Sequence, residues 1–215
     1  QVMDYALVEV MYKPKTHPVQ NYLKSLKWDG VERAETLFID FLGAEELQYV
    51  KDVTRTWLKA AVARIERPGV KYDSCIVLSG PQGIGKSTIL GRLGGKWFND
   101  SIVSFQGKEA MEQLQGSWII ELSEMQASTK ADNDTIKAFL SRQTDKFRAP
   151  YGRRTEEYPR QCVFAATTND SIFLKDRTGG RRFLPVFCTG NGKRPLSDFC
   201  LLYTSDAADE EDSVD

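Results

Sequence analysis

"CIVLSGPQGIGKSTIL", residues 75–90, passes from an apolar run through a glycine-rich turn into a helical pattern. The apolar run has the texture of a strand buried on both faces. "GPQGIGKS", Gly80–Ser87, fits G-x-x-x-x-G-K-[ST] and stands where that pattern has physical meaning, after a strand and before the helix "STILGRL". Glycines at 80, 83 and 85 let the loop curl so that its backbone N–H groups point inward. Those donors, with the N-terminus of the following helix, favour an anionic phosphate. Lys86 is expected to reach the β- and γ-phosphates, and the Ser87 hydroxyl to bind Mg²⁺. Gly80, Pro81, Gln82, Gly83, Ile84, Gly85, Lys86, Ser87 and Thr88 are therefore the candidate nucleotide contacts. ATP and Mg²⁺ are the expected cofactors, and no NKxD-type base-reading motif of a GTPase appears.

Working outward, "SWIIEL" (117–122), "CVFAATT" (162–168) and "FLPVF" (183–187) repeat the apolar texture. Helical stretches separate them, among them "DTIKAFLSR" with Ile136, Phe139 and Leu140 on one face. Strands alternating with helices predict an α/β fold with a parallel sheet covered on both sides, the core of a P-loop NTPase. Upstream, Val50, Val53, Trp57, Ala61 and Ile65 recur at spacings of three and four, an amphipathic helix ended by "ERPG". "TLFIDFL" before Gly43 predicts a shorter helix with the glycine as its stop. The expected organisation is an N-terminal helical region, 1–70, and an ATPase core, 71–199.

Hydrolysis needs a carboxylate for the metal and a group that positions water. "WIIELSEM" offers Glu121 at the tip of an apolar strand, expected beside the phosphate-loop strand, and Glu124 three residues on. Glu121 is the expected metal partner, and either glutamate can polarise water. "FAATTND" ends a third strand in Asn169, which can orient water or sense the γ-phosphate.

From Lys137 to Arg160 there are seven basic residues against three acidic, with aromatics interleaved. "APYGRR" has turn residues at its centre and predicts a hairpin presenting Tyr151, Arg153 and Arg154. Basic and aromatic side chains together suit a single-stranded nucleic acid with stacking bases. "DRTGGRRF" then places Arg181 and Arg182 after a glycine pair, at the edge of the sheet. Arginines there are candidates to reach the γ-phosphate of a neighbouring subunit.

"HPVQNYLKSLKWDG", "GPQGIGKST", "ELSEM", "IKAFLSRQTDKFRAPYGRRTEEYPRQCVFAATTND" and "LKDRTGGRRFLPV" together resemble the virulence-associated protein E family. These are ATPases of phages and genomic islands related to superfamily 3 helicases. The likeness covers about residues 17–188 in order. It implies an AAA+-like core, a homo-oligomeric ring (a hexamer), and work on DNA during replication of a mobile element. It also implies DNA contacts at Lys137, Arg148, Tyr151, Arg153 and Arg154. Superfamily 3 proteins usually carry adjacent acids after the second strand, whereas here Leu122 and Ser123 separate Glu121 from Glu124. The expected function is an ATP-driven DNA motor, a superfamily 3-like helicase. The alternative is a P-loop ATPase that loads or regulates replication proteins without unwinding.

Composition sets the outer bounds. With 41% hydrophobic and 27% charged residues, the 215-residue chain suits a soluble α/β protein, and no apolar run is long enough to span a membrane. Four cysteines without CxxC spacing and a single histidine, His17, argue against a zinc site and fit a reducing cytoplasm. The net charge of -1 depends on "DAADEEDSVD", 206–215, whose six acids hide a balance of +5. "CLLYTSDAADE", 200–210, reads like a translated sequencing adapter. The natural chain is therefore expected to continue past Phe199 differently. It also opens at Gln1 without an initiator methionine.

Overall fold

A computed structural model describes residues 17–102, 104–123, 130–150, 153–169 and 180–199. Glu124, Tyr151, Gly179 and the adapter-like tail 200–215 lie outside them. Three helices come first: α1 (Pro18–Ser25), α2 (Leu37–Leu42) and α3 (Gln48–Glu66). Pro18 suits the first turn, where its missing N–H has no intrahelical partner to lose, and His17 Nδ1 accepts from Gln20 N at 3.3 Å as the cap. Gly43 ends α2 in the left-handed conformation, as its position predicts. α3 buries Val50, Val53, Trp57, Ala61 and Ile65, the stripe that the spacing picks out.

The sheet is built from β1 (Cys75–Ser79), β2 (Phe98–Asn99), β3 (Ile119–Leu122), β6 (Val163–Thr168) and β7 (Phe183–Phe187). Between them run α4 (Lys86–Gly94), α5 (Gly107–Glu112), α6 (Lys130–Leu140) and a separate hairpin of β4 (Thr144–Phe147) and β5 (Glu156–Pro159). The strand order is β2-β3-β6-β1-β7, with every pairing parallel. The molecule is thus a mixed α/β protein with a five-stranded parallel sheet flanked by helices. One expectation is corrected: the acid strand β3 is not the neighbour of β1, because β6 lies between them.

Alternation along the strands divides the core. Ile76, Leu78, Ile119, Val163 and Ala165 face the cluster made with α1 to α4. Cys75, Val77, Ile120, Leu122, Phe164 and Ala166 face the other side, toward Ala110 of α5 and Ile136, Phe139 and Leu140 of α6. Two indoles tie α3 to the sheet: Trp57 Nε1 donates to Phe164 O (2.8 Å) and Trp118 Nε1 to Ala61 O (2.9 Å). The change of texture near residue 70 therefore does not separate two cores; the N-terminal helices and the sheet share one.

Candidate functional site

The site forms at the carboxyl ends of β1, β6 and β3, where parallel sheets of this kind leave loops free to bind. The loop after β1 turns through Gly80, Gly83 and Gly85, all with positive φ. Two of these glycines are required by their surroundings. A Cβ on Gly80 would run into the carbonyl oxygen of Cys188, and Gly85, at φ 90°, would drive a Cβ into Leu196 Cδ1. Residues 188–196 thus lie directly against the loop, and Arg92 on α4 donates to Leu196 O.

Lys86 opens α4 and is buried. Its Nζ donates to Gly80 O (2.7 Å), Pro81 O (2.7 Å) and Asn169 Oδ1 (3.1 Å), which engages all three ammonium donors. A phosphate oxygen entering the loop has to exchange for one of them. Burial pulls the Lys86 ammonium below the ordinary lysine range, with Cys188 and Glu121 pulling the other way. Burial likewise pushes the Cys188 thiol up to about 12, so it is no nucleophile.

Glu121 is wholly buried, and alternation along β3 turns it to the same face as Ile119, toward α4. Ser87 Oγ donates to its Oε1 at 2.6 Å, and Thr167 Oγ1 on β6 donates to the same oxygen at 2.6 Å. Its Oε2 is buried and accepts no hydrogen bond. A serine hydroxyl that gives its proton to a carboxylate keeps its lone pairs for a cation, and the orphaned Oε2 adds a second hard oxygen. The donor set fits Mg²⁺, which takes few protein ligands and keeps phosphates and waters for the rest. Among the described residues no group of three or more His, Cys, Asp and Glu forms a metal cluster of its own.

The structure therefore brings Lys86, Ser87, Glu121 and Asn169 together by direct hydrogen bonds. It does not bring Arg181 and Arg182 there. They precede Phe183, which pairs in register with Cys75, at the opposite ends of β7 and β1 from the loop. The separation is about 13 Å, four strand residues at roughly 3.3 Å each. β7 is an edge strand, and Arg181 is exposed. Arg182 Nε stands 3.5 Å from Asp73 Oδ2 without forming a hydrogen bond.

The predicted hairpin is present as β4–β5, paired from Thr144↔Pro159 to Phe147↔Glu156. Arg148, Arg153 and Arg154 are exposed at its tip. Lys137 differs: it is buried on α6 and paired with Asp134 at 3.4 Å, so it does not join the exposed cations of the tip. Arg160, counted with the basic run, is also buried. It grips Asp145 with two bonds of 2.7 and 2.8 Å, donates to Phe139 O, and lies over the Phe139 ring at 4.5 Å.

Two further side chains carry weight that the motif reading passes over. Thr167 could be found from the polar end of an otherwise apolar strand. Arg64 sits on the buried stripe of α3 and donates to Val70 O, Cys162 O and Tyr72 O, fixing the approach to β1 and β6. Burial lowers its guanidinium below the ordinary arginine value. A charge on an apolar stripe is the signal for it.

Residues 23–199 match the sequence model of the virulence-associated protein E-like domain. No curated protein matches the chain. Among solved structures, an apo form of the NrS-1 C-terminal region aligns with a TM-score of 0.57 and 16% identity, over 82% of this chain and 42% of that one. Two further apo structures of the same region give TM-scores of 0.55 and 0.54, each at 16% identity. They overlap 82% and 81% of this chain and 42% and 40% of their own. The chain spans less than half the length of these structures, and the likeness is one of fold. Among the described residues no helix is long and apolar enough to cross a membrane.

Proposed function

The chain belongs to the virulence-associated protein E-like family, and on that premise we propose that it is a P-loop ATPase of the AAA+ kind that moves DNA during replication of a mobile element. The observation that carries this reading is the convergence of Lys86, Ser87, Glu121 and Asn169, two of them 83 residues apart, into one hydrogen-bonded cluster beside a glycine loop.

In this reading residues 80–88 hold ATP, and Ser87 with Glu121 holds Mg²⁺. Bound there, the metal would supply charge neutralisation to the triphosphate. Lys86 exchanges a carbonyl for a phosphate oxygen and fixes the triphosphate. Asn169, already joined to Lys86, is assigned the role of orienting the attacking water. Glu121 anchors Ser87 and is also a candidate base for that water; Glu124 is the alternative, and Glu121→Gln decides between them. Arg148, Arg153 and Arg154 on the hairpin tip contact single-stranded DNA. Unwinding is the finer part of the proposal, and loading replication proteins without unwinding is its rival. The protein acts in the cytoplasm as a homohexameric ring, with residues 71–199 as the motor core and the preceding helices buttressing it.

The first test is steady-state ATPase of residues 1–199 with and without single-stranded DNA, followed by strand displacement. The expected results are Mg²⁺-dependent, DNA-stimulated turnover that Lys86→Ala abolishes. Turnover that survives Lys86→Ala overturns the site, and stimulation without strand separation favours the loading role. The second test concerns the ring. Arg181 lies too far from its own loop to serve it, but an exposed arginine just ahead of an edge strand can serve a neighbour's. A finger of this sort is worth about 10³ to 10⁵ in rate. Arg181→Ala is expected to bind ATP and not hydrolyse it, and mixing it with Lys86→Ala is expected to restore part of the activity. No recovery in mixed assemblies overturns action between subunits.

A further inference from the structure

Glu121 accepts two hydrogen bonds on one oxygen and none on the other. That asymmetry needs a cause. If the two hydroxyls served only to satisfy a buried carboxylate, dividing them between Oε1 and Oε2 would be the better solution, since an orphaned buried acceptor is costly. Instead Ser87 approaches Oε1 from α4 and Thr167 approaches it from β6, both at 2.6 Å, the short range of charge-assisted O–H···O⁻ bonds. Two donors from two elements pin the carboxylate where one would let it pivot.

Thr167 is suited to this task. It is 6% exposed and its β-branched side chain has few rotamers on a strand. Glu121 pairs in register with Ala165, so Thr167 stands one same-face step further toward the carboxyl end, and Asn169 one step beyond that. Asn169, just past the end of β6, receives Lys86, so β6 and the residue that follows it hold both the acid and the cation of the site. We infer that Thr167 is a positioning residue: through Oε1 it fixes the Glu121 carboxylate so that Oε2 stays without a donor and available to the metal or its water. This rests on the ATPase reading above and adds to it a residue that touches neither nucleotide nor metal.

The test compares Thr167→Val, which keeps the shape and removes the hydroxyl, with Thr167→Ser, which keeps the hydroxyl. Thr167→Val is expected to lower kcat about 10- to 100-fold, the usual effect of losing a group that orients a metal-site residue, with KM for ATP within about twofold. Thr167→Ser is expected to restore most of the loss. In a Glu121→Gln background Thr167→Val is expected to add nothing further. Unchanged turnover in Thr167→Val, or an equal loss in Thr167→Ser, overturns the inference. So does a full additional loss on top of Glu121→Gln. A readout independent of turnover comes from crystal structures of the nucleotide-free wild type and Thr167→Val, in which the Glu121 carboxylate is expected to rotate in the variant. An unmoved carboxylate overturns the role of Thr167 whatever the assays give. A wild type without Mg²⁺-dependent turnover overturns the ATPase reading instead, and the carboxylate's orientation then decides on Thr167.

Discussion

The base and the tip of the β4–β5 hairpin carry the same side chain in opposite surroundings. At the base, Arg160 and Asp145 are 1% and 0% exposed as side chains, and every guanidinium nitrogen of Arg160 has an acceptor. At the tip, Arg148, Arg153 and Arg154 face water. Charge in a sequence is therefore not a function. A guanidinium taken out of water has to be matched donor by donor and becomes part of the frame. One left in water keeps its donors for an acceptor from outside. The stacked pair Phe147–Tyr158, with centroids 4.3 Å apart, stiffens the arm between the two.

The largest effect expected from this contrast is at the base. Asp145→Ala leaves Arg160 buried and unpaired and should cost about 3–5 kcal/mol of stability, read by chemical denaturation. Replacing both partners together, Asp145→Leu with Arg160→Met, should recover most of that loss. If the double variant is as unstable as the single one, the pair specifies the hairpin's position and not only its charge balance.

At the tip the expected balance is reversed. Arg148→Ala and Arg153→Ala should each change stability by less than about 0.5 kcal/mol while weakening single-stranded DNA binding. Each lost phosphate contact should flatten the log-log salt dependence by about 0.7. An unchanged slope in both variants makes the tip an ordinary solvated face. Midway, at Lys146, whose ion pair with Glu157 (2.6 Å) has side chains 66% and 64% exposed, only a small loss of stability is expected. Lys146→Ala should cost below about 1 kcal/mol, and a larger loss measured the same way would blur the line between base and tip.

The parallel sheet is legible in advance because its strands are short apolar runs set between helical patterns, and β1, β3, β6 and β7 fall where those runs lie. β2, two residues long, carries no pattern to read. Lys86 and Ser87 are legible because loop chemistry requires them in sequence order, and Asn169 because it is a polar residue at the end of an apolar strand. The placing of Glu121 is only half legible: residue type and strand tip are local facts, whereas the insertion of β6 between β1 and β3 depends on how the whole sheet assembles. Arg160 and Lys137 read as part of one basic face because composition cannot see which side of a strand or helix turns inward. Thr167 escapes for the same reason, since its meaning lies across two strands and not along one.

β1 is the first of the sheet's strands to leave the ribosome, yet both of its hydrogen-bonding edges are completed by β6 and β7, the last two. Until then a strand that is buried along its whole length in the folded protein waits with two open edges, and the Trp57 indole waits for a carbonyl 107 residues away. Contacts this distant slow folding, because loop closure precedes the reward. During synthesis, at about 5–20 residues per second, the strand bearing the glycine-rich loop is exposed for many seconds. The glycine-rich loop that follows β1 therefore cannot be fixed against both neighbouring strands until β6 and β7 have been made.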